Sequence, residues 1–467
     1  MLDNDAGAAN GHVTEVNGVA VAANGTTTIN GLYGTLTIDA QGHYTYTLKS
    51  GLGADSIKTP DTFVYTVTAA NGDTSTASLN VQPTAKPVDA VNDTSSTMAL
   101  ATNQVTSSYT DTSVGSATIA QGSRSATGSG TFDVADGTAL KAISVTFNTS
   151  ASGLAGVGGL SVAWSILENG QTVYTGTTLP SGTFGLLNGS RTVTLSGFEL
   201  DAGTYTLAIT TNLTSTQLGN VSVTPVVNAT SYDLDNFLIN SNAHTVTGNI
   251  YNGSDSAGAV DQIASAQTVL TVSGNNSTQT LNPTVDSNGA ATVQGTYGSL
   301  RIAIDGSYTY TLKAGLHPGD ITTKETFTYT LNDQKGHTDS ATLTINMNPQ
   351  FTSTSQSDVI HGSAYGDTLI YDLLNNADNR GGNGADRWDN FSLAQGDKID
   401  IGDLLVGWNG QESSLGNYLS VTTSGGNTVI SIDRDGTGTA HSSATLITLE
   451  NVQTTLNELI EQNHIVT

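Results

Sequence analysis

Residues Gly381-Gly382-Asn383-Gly384-Ala385-Asp386-Arg387-Trp388-Asp389 combine three glycines, an aspartate and a large apolar side chain at set spacing. Glycine admits left-handed backbone and leaves its carbonyl open, while aspartate supplies a hard anionic oxygen. Calcium takes roughly six to eight such oxygens. The chemistry expected here is therefore calcium coordination by Asp386 and the carbonyls of Gly382 and Gly384, with Trp388 turned into a core. A looser copy lies upstream, Gly362-Ser363-Ala364-Tyr365-Gly366-Asp367-Thr368-Leu369, with Asp367 and Leu369 in the slots of Asp386 and Trp388. A glycine-rich turn with solvated aspartates is the plainer reading of both.

Three further groups of acids could hold a cation. Asp433-Arg434-Asp435-Gly436 opens like a D-x-D-G calcium loop, but Ala444 stands where the closing glutamate belongs, so a hairpin turn reads equally well. Asp89, Asn92 and Asp93, and then Asp233 and Asp235, fall where the composition changes. A shared ion there would turn a hinge into a stiff joint; solvated linker acids are the alternative. Asp5 and Asp255 lie in weaker Asn-Asp turns.

Catalytic patterns are missing. The eight histidines form neither H-x-x-x-H nor H-E-x-x-H, and no G-x-S-x-G elbow is present. Two carboxylates can still meet in space as a glycosidase pair, yet no nucleophile or metal motif emerges, and no enzyme is expected. Trp164, Trp388 and Trp408 could stack on sugars, but the two in the C-terminal calcium region, Trp388 and Trp408, read as core.

The elements that must position these turns are strands. Charged residues are 12% and aromatic residues 6% of the 467-residue chain, and Thr, Ser, Asn and Gly fill much of the rest. A net charge of −26 leaves no basic patch for nucleic acid or an anionic membrane surface. With no cysteine, disulfides, thiol chemistry and Cys/His zinc sites are excluded. No apolar run is long enough to span a membrane, and the N-terminus does not read as a signal peptide.

One pattern occurs twice at a constant spacing of 264 residues: Tyr33 with Tyr297, Tyr44 with Tyr308, Phe63 with Phe327 and Leu79 with Leu343. Tyr44, Tyr46 and Leu48 alternate with polar residues, as do Phe63, Tyr65 and Val67, the mark of half-buried strands. Turn pairs such as Asn71-Gly72 and Asp305-Gly306 punctuate them. The fold class is mostly β: tandem immunoglobulin-like sandwiches, then a short calcium-binding β-roll with a small C-terminal helix. Residues 1–87 and 231–348 are the two copies, 88–230 a larger β-sandwich, and 349–467 the roll with the C-terminal region. Residues 107–130 read as a loop or an edge strand. Val452, Leu456, Leu459 and Ile460 form an amphipathic helical stripe, with Thr455-x-x-Glu458 as its capping box.

The nonapeptide fits the G-G-x-G-x-D-x-U-x unit of calcium-binding β-rolls at every fixed position. With the acidic, cysteine-free, β-rich context, it resembles the end of a repeats-in-toxin (RTX) protein exported by type I secretion. The repeated domains resemble the VCBS or cadherin-like immunoglobulin repeats of large biofilm-associated (Bap/BapA-like) bacterial adhesins. In that family a strand precedes an Asn-Asp turn, so Leu2-Asp3-Asn4-Asp5 looks cut, and Met1 is expected to begin a C-terminal piece of something longer. The resemblance implies a calcium-stiffened cell-surface adhesin that mediates adhesion and biofilm formation. It also implies a C-terminal signal read by an ABC exporter, with a glycan, a protein, an abiotic surface or another copy as the adhesive partner. A carbohydrate- or protein-binding module in residues 89–230 is the alternative, and a secreted hydrolase a third reading.

Overall fold

The computed structural model describes residues 2, 11–49, 57–83, 88–153, 159–184, 188–252, 260–263, 268–283 and 289–467. The turns with Asp5 and Asp255 lie outside these residues. The chain divides into two compact units: residues 1–96, 247–310 and 326–344 form the first, and 97–246, 311–325 and 345–467 the second.

In the first unit, strands Val19–Ala20, His12–Val16, Asp61–Thr68 and Thr74–Val81 make one antiparallel sheet. Thr26–Asn30, Gly34–Asp39 and Tyr44–Leu48 make another. Val13, Val16, Ile29, Leu36, Ile38, Phe63, Tyr65 and Val67 form their common core, drawn from the inward set of each alternating strand. Asp61 is buried and its carboxylate accepts the Leu32 and Tyr33 N–H groups and the Tyr46 hydroxyl, each at 2.8–2.9 Å. Gly34 cannot be replaced cheaply, since a Cβ there would lie 2.4 Å from the Tyr46 ring and 2.5 Å from the Thr47 carbonyl.

The duplication is visible in three dimensions. Gly31 N–H donates to the Gly34 carbonyl at 2.8 Å, and Gly295 N–H to Gly298 at the same distance. Tyr46 and Phe63 meet edge-on with centroids 6.1 Å apart; Tyr310 and Phe327 repeat the contact at 6.1 Å. The second copy carries the four-stranded sheet Thr245–Asn249, Ser307–Leu312, Gly298–Ala303 and Ala290–Gln294. Its five-stranded partner is built on Val269–Gly274, Glu325–Asn332 and Thr338–Ile345. Linker residues Asp93–Thr94 add to the edge of this sheet, parallel to Leu343 and Thr344.

The second unit begins with a larger sandwich. Strands Ser125–Val134, Gly203–Leu213, Leu160–Glu168 and Gln171–Thr175 form one sheet. The other contains Gly189–Thr194, Thr138–Ala151, Val221–Ile239 and Met98–Asp111. Residues 107–130 are thus largely strand, in Met98–Asp111, Ala117–Ile119 and Ser125–Val134. Val221–Ile239 runs straight through the boundary expected at residues 230 and 231.

That second sheet continues, parallel, through Met347–Thr352, Thr368–Ile370, Lys398–Asp400 and Ile465–Val466. A facing parallel ladder contains Val359–Ile360, Asp386–Trp388 and Ala444–Leu449. The chain therefore coils back and forth between two parallel ladders, and Ile360, Leu369, Trp388 and Ile399 fill the space between them, each fully buried. The helix is Leu456–Glu461, shorter than the apolar stripe; Thr455 Oγ1 accepts the Glu458 N–H, and the Glu458 carboxylate takes the Thr454 hydroxyl at 2.8 Å.

Candidate functional site

Asp386 opens one strand of the coil and Asp367 immediately precedes the strand before it, on the opposite ladder. Strand register sets Asp386 beside Asp358, and Asp367 beside Asp397. All four are buried, at 0–2% exposure. Asp386 Oδ1 accepts the Asp358 N–H at 2.9 Å and Oδ2 the Ser353 hydroxyl at 2.7 Å. On the other ladder, Asp397 Oδ1 accepts the Asp367 N–H at 2.9 Å, and Oδ2 the Ser392 N–H at 2.8 Å. Asp367 itself accepts the Ser363 N–H and hydroxyl; Asp358 accepts the Thr354 N–H and hydroxyl and the Gln104 amide. Asp367 and Asp358 thus close their own turns, Asp386 reaches the neighbouring rung, and Asp397 does both.

Burial pushes Asp367 up to about 8, with the Asp397 charge adding to the effect, and Asp397 up to about 7. Burial likewise raises Asp358 and Asp386. Burial disfavours the charged form of each carboxylate, and N–H and O–H groups of the protein are the donors that meet it. Calcium coordination by Asp367, Asp386, Gly382 and Gly384 stays an expectation from the sequence; in this structure the two aspartates bond to donors of the protein. The glycines also shape the turn. Gly381 and Gly382 take φ of 72° and 89°, and a Cβ on Gly384 would lie 1.9 Å from the Gln356 carbonyl oxygen.

The linker acids are arranged differently. Within the first unit, Val91 N–H donates to Asp261 Oδ1 at 2.7 Å and Ala90 N–H to Asp339 Oδ2 at 2.8 Å. Asp89 pairs through its backbone with Gln262. The Tyr329 hydroxyl lies 2.6 Å from the Val91 carbonyl, 2.8 Å from Asp93 Oδ2 and 2.9 Å from Asp261 Oδ2. One hydroxyl proton serves only one of those three oxygens at a time. Burial raises the pKa of Asp261, and the charges acting on it, Asp89 and Asp339, are both negative. Clustered hard carboxylates are the donor chemistry of calcium, so Asp89, Asp93, Asp261 and Asp339 fit the ion in kind. Asn92 is turned elsewhere: its Oδ1 accepts the Thr342 N–H and hydroxyl.

Asp233 Oδ1 accepts the Asp235 N–H at 3.1 Å, a local turn within Val221–Ile239 in the second unit. Asp435 accepts the Ala440 and His441 N–H groups, and Asp433 is raised by its own burial and by Asp435. Between them Arg434 is fully buried and donates to the carbonyls of Leu404, Asn376 and Asp378 at 3.0 Å. The D-x-D-G run is thus a hairpin that carries an arginine clamp. Among the described residues, no three His, Asp or Glu side chains already stand where they would hold one metal ion.

No curated protein matches the chain. Among solved structures, the xylan-binding module CBM15 is similar over 27% of this chain and 97% of its own, at 14% identity and a TM-score of 0.18. Dimeric latent PorU from Porphyromonas gingivalis is similar over 70% of this chain and 29% of its own, at 12% identity and a TM-score of 0.19. Carbohydrate-binding modules of the β-sandwich superfamily cover 44% of this chain and 97% of their own, at 11% identity and 0.15. TM-scores this low carry no functional argument. Residues 1–82 match the family model of a bacterial Ig domain, which makes the first domain immunoglobulin-like and fits a bacterial surface protein.

Proposed function

We propose that the chain is an extracellular segment of a biofilm-type bacterial adhesin, with its immunoglobulin-like domains acting as spacers stiffened by calcium. The observation that carries this reading is the duplicated Ig-like fold, whose first copy matches a bacterial Ig domain and whose second copy receives an acid-lined linker on its sheet edge. Asp89, Asp93, Asp261 and Asp339 would hold the ion, which would offset the like charges that Asp89 and Asp339 place beside Asp261. Without it, Asp261 and Asp339 still fasten the linker through its Val91 and Ala90 N–H groups. An ion bound only by the folded junction stabilises it as calcium rises past its dissociation constant. Export by a type I system through the C-terminal region belongs to the same proposal.

Hydrogen exchange of the full chain, with chelator and then with roughly millimolar calcium, the range of extracellular calcium modules, tests the central claim. Calcium should slow exchange at residues 88–94 and 338–345, and Asp261→Asn together with Asp339→Asn should abolish the slowing. Identical exchange with and without calcium would sink it. Beads coated with the chain should gain calcium-dependent attachment to bacterial cells or biofilm matrix. Deleting residues 452–467 should stop secretion if the export signal lies there.

A further inference from the structure

The ladder between Val221–Ile239 and Met98–Asp111 is in register up to Tyr232 opposite Thr106, and resumes at Phe237 opposite Gln104. Residues 233–236 therefore face a single residue, Val105, and the surplus chain must bulge out of the sheet. Bulges of this kind re-aim side chains and are frequent beside binding sites. Here the bulge presents Asp235 and Asn236 to a cavity of about 600 Å³.

The opposite walls are fixed by hydrogen bonds within the same unit. His317 Nδ1 lies 2.9 Å from the Phe237 carbonyl, and Ile239 N–H donates to Leu316 at 2.9 Å, which holds the turn Pro318–Asp320 over the strand. Ala364 N–H donates to the Ile321 carbonyl at 2.7 Å and fastens that turn to the coil. His361 Nδ1 meets Asp389 Oδ2 at 2.7 Å on the coil side. The polar groups are thus presented by elements that the fold already holds in place.

The lining carries the carboxylates of Asp235, Asp320 and Asp389 and no lysine or arginine. Buried Phe237 and Pro318 give it an apolar part. Spread carboxylates that do not meet at one point suit a ligand with separated N–H donors better than a bare ion. A small polar skeleton bearing ammonium groups has that form, since charge-assisted N–H···O bonds are the strong ones and the carbon frame can rest on the apolar part. We infer that this cavity binds a small organic amine, an amino sugar or a polyamine. The assignment is independent of calcium binding at the Asp261 junction.

The test uses the full chain in chelator, titrated calorimetrically with glucosamine, with glucose as the uncharged comparison, and with spermidine. Glucosamine or spermidine should bind saturably and glucose should not, and higher salt should weaken the binding. Binding of only one of the two amines supports the assignment and names its source. Asp320→Asn and Asp389→Asn should each weaken binding about tenfold, the loss of one charge-assisted bond. Asp133→Asn, which lies outside the lining, should leave it unchanged, with circular dichroism as the check on folding. Equal binding of glucose and glucosamine, or no loss in both cavity variants, would overturn the assignment. So would stoichiometric displacement of the amine by calcium, which would mark a metal site instead.

Discussion

Replacing Asp386 with alanine tests the aspartate ladder most directly. Its carboxylate accepts the Asp358 N–H at 2.9 Å and the Ser353 hydroxyl at 2.7 Å, and the Tyr371 hydroxyl also bonds to it. Asp386 and Asp358 are buried at 2% and 0% exposure, so water cannot readily replace the lost acceptor. A buried donor left unmade costs about 1–3 kcal/mol, and three such donors give roughly 3–9 kcal/mol. Asp386→Asn keeps one carbonyl acceptor and should lose much less. Hydrogen exchange by mass spectrometry is the fitting assay, because it reads local opening in a chain with several folding units. Peptides covering 357–361 and 384–390 should exchange on the order of a hundredfold faster in the alanine variant, the factor set by about 3 kcal/mol. Exchange as slow as in the parent chain would refute the ladder as a source of stability, and equal losses in both variants would refute the role of the acceptor.

Three other outcomes follow from the same geometry. Burial raises Asp367 to about 8 and Asp397 to about 7 in the folded state. Their contribution is therefore full below the unfolded value of about 3.9 and disappears as pH rises through about 7–8. In chelator, the coil should open at lower urea at pH 9 than at pH 6, and Asp367→Asn should flatten that slope. Arg434→Met should release residues 372–381, because three carbonyls lose a buried donor; trypsin cleavage at Arg380 reads this directly. Asp61→Ala should cost roughly 3 kcal/mol in the first Ig-like domain by stranding the Leu32 and Tyr33 N–H groups, and its melting transition measures the loss.

The Ig-like repeats were legible because their strands alternate and their spacing never slips, so Tyr46–Phe63 and Tyr310–Phe327 follow from one pattern. Asp386 stood out through its glycines. Asp358 and Asp397 did not, since Ser353, Thr354 and Gln356, and Ser392, Leu393 and Gln395, stand where the motif has glycine. A weaker signal was present: Asp-x-apolar recurs at Asp358–Ile360, Asp367–Leu369, Asp386–Trp388 and Asp397–Ile399. Composition alone does not set such an aspartate beside a row of N–H groups; register does. Asp261 was hidden for another reason. It serves a linker amide 170 residues earlier, and no local pattern encodes so distant a partner. The cavity at the bulge was equally hidden, as its walls come from four separate stretches of chain.

The parallel pairing of Met347–Thr352 with Met98–Asp111 joins residues about 250 positions apart, Met98 lying opposite Met347. The first rung of the coil is therefore laid on a template supplied by the sandwich. A fragment begun at residue 349 would keep the interior apolar stack yet bare a row of unpaired amides and carbonyls along its leading rung. Such an open margin invites strand-to-strand association, so clumping of that fragment would reflect its missing neighbour and not a defect of the coil.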